Sequence, residues 1–227
     1  MAGRRLPRGA FITLEGVEGS GKTTQGRKLL RRLRRLGLPV LWTREPGGVP
    51  ISERVRRVLL DRRHREMGAN TEMLLYLASR AQNVEQLIKP ALHQGQVVLC
   101  DRFADATFAY QGGGRGLPRS AVAAFNRFAT GGLKPDLTLF FDLPPEEGFR
   151  RLGRRPRRRL DRLEVERAAF YRRVRQAYLE LVEREPRRVK RIPGAGTPEQ
   201  VHERVLEVLE PFLRRRRFLR PQAARPS

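Results

Sequence analysis

Gly16-Val17-Glu18-Gly19-Ser20-Gly21-Lys22-Thr23, with Thr24 following, is the stretch on which the fold turns. Its spacing is G-x-x-x-x-G-K-[ST], the pattern of a loop that wraps a phosphate chain in backbone N–H groups. The flanks agree with that reading. Ala10–Glu15 before it is an apolar run that predicts a strand. After it, Leu29, Leu30, Leu33 and Leu36 fall on one helical face, with Arg31, Arg32, Arg34 and Arg35 on the other. Gly37 and Pro39 then stop the helix. A strand, a glycine turn and a helix N-terminus in that order make an anion site. Lys22 is expected to reach the β- and γ-phosphates of ATP, and Thr23 to offer its hydroxyl to Mg²⁺.

Working outward, further short runs rich in β-branched and aromatic residues predict strands over 39–43, 96–100, 137–142 and 188–192. Helical patterns cover 72–94, 118–130, 145–152, 161–184 and 198–213. Strands separated by helices imply an α/β fold of three layers, a parallel five-stranded sheet with helices on both faces; the phosphate loop makes it a P-loop NTPase fold, shared by GTPases, helicases and nucleotide kinases. The expected organisation is one domain over residues 1–213, a mobile lid near 150–160 and a basic Arg/Pro-rich tail over 214–227.

The 227 residues carry a formal net charge of +24, with 48 basic against 24 acidic residues. Most of the basic side chains are arginine, a skew that GC-rich codon usage produces without any function. Phosphate-rich small substrates are the second explanation. Nucleic acid is disfavoured, because aromatic residues are only 7% and are not interleaved with the arginine runs as a stacking platform requires. No apolar stretch is long enough to span a membrane. The N-terminal apolar run is too short for a signal-peptide core, and the single cysteine, Cys100, excludes an internal disulfide; both point to the cytoplasm. His64, His93 and His202 have no metal-ligand spacing.

In parallel α/β sheets ligands lie beyond the carboxyl ends of the strands. Thr43-Arg-Glu-Pro-Gly-Gly48, Asp101-Arg102-Phe103 and Ala109-Tyr-Gln-Gly-Gly-Gly-Arg-Gly116 fall there. Asp101, after the apolar run 97–100, suits a carboxylate that holds Mg²⁺. Arg102 suits an acceptor phosphate, because guanidinium can grip two oxygens at once. Arg150–Arg159 holds seven arginines in ten residues, interrupted by Gly153 and Pro156.

The phosphate loop with these segments, together with Arg80 in Tyr76-Leu-Ala-Ser-Arg-Ala-Gln82, Lys134-Pro-Asp-Leu-Thr138 and Leu160-Asp-Arg-Leu-Glu164, resembles the bacterial thymidylate kinase family, in the same order over roughly residues 9–212. The resemblance implies the reaction ATP + dTMP → ADP + dTDP with Mg²⁺, in a homodimer. It implies that Arg102 and Arg44 lie near the dTMP phosphate, that Tyr76 stacks on thymine, and that Arg80 donates to a thymine carbonyl. Thr107 and Gln111 fall where polar side chains contact the base, and Tyr110 where a tyrosine disfavours a ribose 2′-hydroxyl. Glu18 would approach the acceptor sugar. With Glu18 in the loop, the resemblance puts the catalytic arginines in the lid, where Arg151 and Arg155 are the candidates and Asp161 is expected to cap the next helix. Phe103 stands where the family usually has tyrosine or histidine, and Pro193 where it often has aspartate. Two rival readings are a kinase for another nucleoside monophosphate, such as dUMP or a broader deoxynucleotide set, and a nucleic-acid-binding P-loop ATPase.

Overall fold

The computed structural model describes residues 9–153, 162–163 and 166–219. In chain order the elements are β1 (Ala10–Glu15), α1 (Lys22–Arg35), β2 (Val40–Arg44), α2 (Pro50–Leu60), α3 (Ala69–Asn83), α4 (Lys89–His93), β3 (Val97–Asp101), α5 (Ala104–Thr107), α6 (Arg119–Thr130), β4 (Leu137–Asp142), α7 (Pro145–Gly153), α8 (Ala168–Arg184), β5 (Val189–Pro193) and α9 (Pro198–Arg215). The strands form one sheet in the order β2-β3-β1-β4-β5, and every pairing is parallel. This is the predicted α/β architecture. β1 and β4 are buried along their whole length, as near-continuous apolar strands must be when helices cover both faces. The chain leaves β1 for β2 and β3 on one side and crosses to β4 and β5 on the other. The crevice at the carboxyl end of β1 is therefore the switch point where ligands bind in such sheets.

Alternation along β1 divides the core. Ile12 and Leu14 pack with Leu29 and Leu33 of α1 and Val205 and Leu209 of α9. Phe11 faces the other way, toward Val84, Ile88 and Phe103. Phe140 of β4 joins Tyr171, Val174 and Tyr178 of α8. A capping box fixes the start of α9, with Thr197 accepting from the Gln200 N–H and the Gln200 side chain from the Thr197 N–H. Such a cap stabilises a helix by about 1 kcal/mol.

Four features differ from the sequence reading. The helix α2 is absent from the sequence reading; it turns Ile51 and Val58 outward and buries Ser52 and Leu59. α8 begins at Ala168 rather than at residue 161, so the Asp161 cap is not the start of this helix; Asp161 itself lies outside the described residues. The expected loop after β3 is instead a wide π-helical coil, Phe108–Gly114. It lies against α8, where a Cβ on Gly113 would come within 2.6 Å of the Ala177 Cβ and one on Gly114 within 2.5 Å of the Phe170 ring. Finally, α9 runs on to Arg215, and Phe218 and Leu219 pack against the core. Apolar side chains thus carry the domain past the boundary expected at Arg214. Residues 220–227 lie outside the described part.

Candidate active site

The turn from β1 into α1 is built from the backbone inward. Gly21, with φ 97°, begins α1 without a side-chain cap, which leaves the first N–H groups of the helix available to an anion. The Lys22 ammonium lies inside the loop, donating to the carbonyls of Gly16 and Val17 at 2.7 Å each and to Ser20 Oγ at 3.4 Å. Burial, and next the charge of Arg102, push its pKa down to about 8. Thr24 is exposed on the first turn of α1. Gly19 touches the start of α7: a Cβ there would stand 2.2 Å from the Gly148 carbonyl oxygen, and one on Gly148 2.3 Å from that of Glu18. Both positions exclude any side chain.

The carboxyl end of β3 faces this loop. Thr23 Oγ1 donates to Asp101 Oδ2 at 3.1 Å. A hydroxyl and a carboxylate oxygen so placed fit a hard divalent cation beside a phosphate chain. The next residue, Arg102, has φ 71°, a left-handed conformation that costs a non-glycine residue about 1–2 kcal/mol. The surroundings hold it there. Its N–H donates to the Leu14 carbonyl at 3.0 Å. Its guanidinium donates to the Gly16 carbonyl at 3.0 Å and to Glu18 Oε1 at 2.5 Å, and lies 4.8 Å from the centre of the Tyr110 ring. The Tyr110 hydroxyl donates to the other oxygen of Glu18 at 2.7 Å. Burial opposes the charge on Glu18, but Arg102, Lys22 and Tyr110 outweigh it and hold the carboxyl below its ordinary range. A strained residue held by several contacts beside an anion loop is a common mark of a functional site.

A small cavity opens beside this group. Glu18, Tyr76, Arg102, Thr107, Tyr110 and Gln111 line it, with Ala106 and Leu163. The structure thus brings six of the eight expected substrate residues to one place. Arg80 lies behind the wall and is 1% exposed. It donates to Glu45 Oε2 (2.7 Å), Thr107 Oγ1 (2.8 Å), Asn126 Oδ1 (2.6 Å) and the Phe103 carbonyl (2.9 Å). These bonds use four of the five guanidinium N–H groups and leave one Nη2–H. Arg44 is not in the cavity wall; Glu53 of α2 holds it by two bonds of 3.0 Å. Arg151, on α7, donates to Glu147 at 2.6 Å and to the Gly194 carbonyl at 3.1 Å, so its contacts lie toward the loop after β5. Arg155 lies outside the described residues. Cys100 is buried, its thiol donates to the Arg102 carbonyl at 3.0 Å, and burial pushes its pKa up, away from nucleophile chemistry.

Four side chains to which the sequence reading assigned no role hold the site, Glu45 among them although it lies within the Thr43–Gly48 motif. Glu45 and Asn126 fix Arg80, and Glu72 holds Gln111 at 2.8 Å. The fourth is Glu15, fully buried, which accepts from the Phe103 N–H and from the Tyr178 hydroxyl at 2.7 Å each. A readable signal existed for two of them: Glu72 precedes Tyr76 and Arg80 at intervals of four on one helical face, and Glu15 is a carboxylate closing an apolar strand. Burial, then the nearby Asp105, push the Glu15 carboxyl up to about 8. A folded-state pKa above the unfolded value makes the group's stabilising contribution complete below pH 4.5, and it is lost as pH rises through about 8. Glu15→Gln is therefore expected to flatten the decline of melting temperature between about pH 5 and 8, measured by thermal denaturation across that range. An unchanged slope would show that Glu15 does not titrate there.

A loop that cradles phosphates, facing a second anion site across one arginine, defines a P-loop phosphotransferase for nucleotides. Comparison with known proteins agrees. A family model described as thymidylate kinase matches residues 14–205. Thymidylate kinase from Pseudomonas putida (strain GB-1) is 53% identical over 203 residues, covering 89% of this chain and 95% of the relative. That from Pseudomonas syringae pv. syringae (strain B728a) is 52% identical, covering 90% and 96%. The crystal structure of thymidylate kinase from Ehrlichia chaffeensis superposes with a TM-score of 0.73 at 33% identity, over 90% of this chain and 99% of that one. The chain belongs to the thymidylate kinase family.

Proposed function

We infer that the protein transfers the γ-phosphoryl group of ATP to dTMP, giving ADP and dTDP. The observation that carries this reading is the position of Arg102, which touches the phosphate loop through Gly16 and Glu18 and also lines the acceptor cavity. ATP lies along the loop, its phosphates on the backbone N–H groups and on Lys22. Thr23 and Asp101 would hold Mg²⁺, which when bound would neutralise charge on the phosphate chain. The acceptor lies in the cavity with its phosphate at Arg102, its base beside Tyr76, Thr107 and Gln111, and a base carbonyl at the remaining Arg80 N–H. Tyr110, held by Glu18, closes the sugar side. In-line transfer then needs no covalent enzyme intermediate; positioning and charge stabilisation do the work. The arginine-rich segment at 150–160, with Arg151 and Arg155, serves as the lid.

Among the described residues the site has no feature that favours a different nucleoside monophosphate or a nucleic-acid-driven ATPase. One methyl group is worth only about 1–3 kcal/mol in a pocket, so dTMP is expected to be preferred over dUMP by a modest factor. The test is ADP release with Mg²⁺ and ATP across a panel of nucleoside monophosphates. Rapid release with dTMP is the expected result; release that is stimulated by DNA or RNA but by no monophosphate would overturn the reading. The protein acts as a homodimer in the cytoplasm. Support for the dimer is a set of exposed apolar side chains on α2, α3 and α6: Ile51, Val58, Leu74, Phe125 and Phe128, the last 88% exposed. No described helix is long and apolar enough to cross a membrane.

A further inference from the structure

Glu72 is fully buried in α3, and the scheme above gives it no task. Its carboxylate accepts from Gln111 Nε2 at 2.8 Å, from Arg115 Nε and Nη2 at 3.1 and 2.9 Å, and from Arg162 Nη2 at 2.5 Å. These donors come from separate parts of the chain. Gln111 belongs to the π-helical coil and Arg115 to the turn just beyond it. Arg162 follows the arginine-rich segment and is itself fastened to the end of α2: its Nε donates to the Leu59 carbonyl at 2.9 Å and its N–H to that of Leu60 at 3.3 Å. Burial opposes the charge on Glu72, but the bonds from Arg115, Gln111 and Arg162 outweigh it and hold the carboxyl below its usual range.

The residue after Arg162 is Leu163, which walls the acceptor cavity together with Tyr76 and Gln111. The Tyr171 hydroxyl fixes the Leu163 carbonyl at 2.8 Å. Two sides of the cavity, Gln111 and Leu163, are thus tied to one carboxylate, and Tyr76 stands one turn further along the same helix. None of the described bonds of Glu72 reaches the phosphate loop.

We propose that Glu72 is a positioning residue for the acceptor nucleotide: it holds Gln111 directly, and Leu163 through Arg162, against the space for base and sugar, without acting on the donor site. The proposal rests on the placement of the acceptor in this cavity. It is tested by steady-state kinetics on Glu72→Gln, which keeps the shape but removes the charge, on Arg162→Lys, which shortens the grip, and on the double variant. Each single variant is expected to raise KM for dTMP about tenfold, the loss of one charge-assisted hydrogen bond, with KM for ATP within about twofold. The double variant should be no worse than the more severe single one, because both cut the same link. If both KM values rise together, if neither rises, or if the two effects add, the proposal fails; should Glu72→Gln not fold, Arg162→Lys alone carries the KM comparison. Arg102→Ala serves as control. It must raise KM for dTMP whatever Glu72 does; if it does not, the acceptor assignment itself is wrong and the proposal falls with it.

Discussion

Lys22→Ala is expected to lower turnover by about 10³-fold while the protein keeps its fold, the scale seen when a positioned charge at a transition state is removed. The ammonium sits inside the loop on the Gly16 and Val17 carbonyls. A phosphate chain in the loop would draw it outward to the β- and γ-oxygens and would raise its pKa back from about 8. No other described cation lies within the loop. Truncation leaves the glycine backbone untouched, and the Gly16 carbonyl still accepts from Arg102. The melting temperature should therefore move by only a few degrees, and KM for dTMP should change little. ADP-release rates and thermal melts of the variant check both halves. Near-normal turnover would refute the assignment of this loop as the donor site.

Arg102→Ala should be nearly as severe but should act on the other substrate, lowering kcat/KM for dTMP by about 10³-fold or more. One guanidinium binds the loop, neutralises Glu18 and faces the acceptor cavity. Its loss removes the acceptor's phosphate contact and also frees Glu18, so the Tyr110 hydroxyl loses its fixed partner geometry. Lys22 remains as a counter-charge for Glu18, which keeps the site from collapsing. Arg102→Lys should rescue little, because a single nitrogen cannot span the separate positions from which Nη1 reaches Gly16 and Nη2 reaches Glu18, nor present a planar fork to a phosphate. Kinetics with dTMP as the varied substrate, at saturating ATP, test this; a lysine variant within a few-fold of the parent would show that charge alone suffices.

The fold was legible because its signals are local. Each strand is a short apolar run, and the glycine loop between β1 and α1 has a spacing that one geometry explains. The phosphate loop, Asp101 and Arg102 were legible for the same reason. The failures share a cause: they depend on what the chain meets after folding. α2 keeps a helical spacing in Ile51, Val55, Val58 and Leu59, but it is short, rich in arginine and turns Ile51 and Val58 outward, so it does not stand out from the loop around it. The glycines of the coil after α5 read as a loop, whereas they are needed because α8 lies against them. Glu45, Glu72 and Asn126 act through Arg80, Gln111, Arg115 and Arg162; the helical spacing of Glu72 and the motif around Glu45 mark the residues, but no local pattern shows which distant side chains they hold. Glu15 reads only as the last residue of an apolar strand, and its burial follows from Tyr178 folding over it.

The contact between Gly19 and Gly148 joins two parts of the enzyme that are usually thought of separately. With bare backbone against bare backbone, the donor loop and the helix that leads into the arginine-rich segment have no side chain between them to act as a cushion. The beginning of that helix cannot tilt without pulling on the donor loop. Arg151, three residues past Gly148 on the same helix, is thereby kept at a fixed distance from the donor loop, so a change of loop shape is felt at that side chain without any intervening contact.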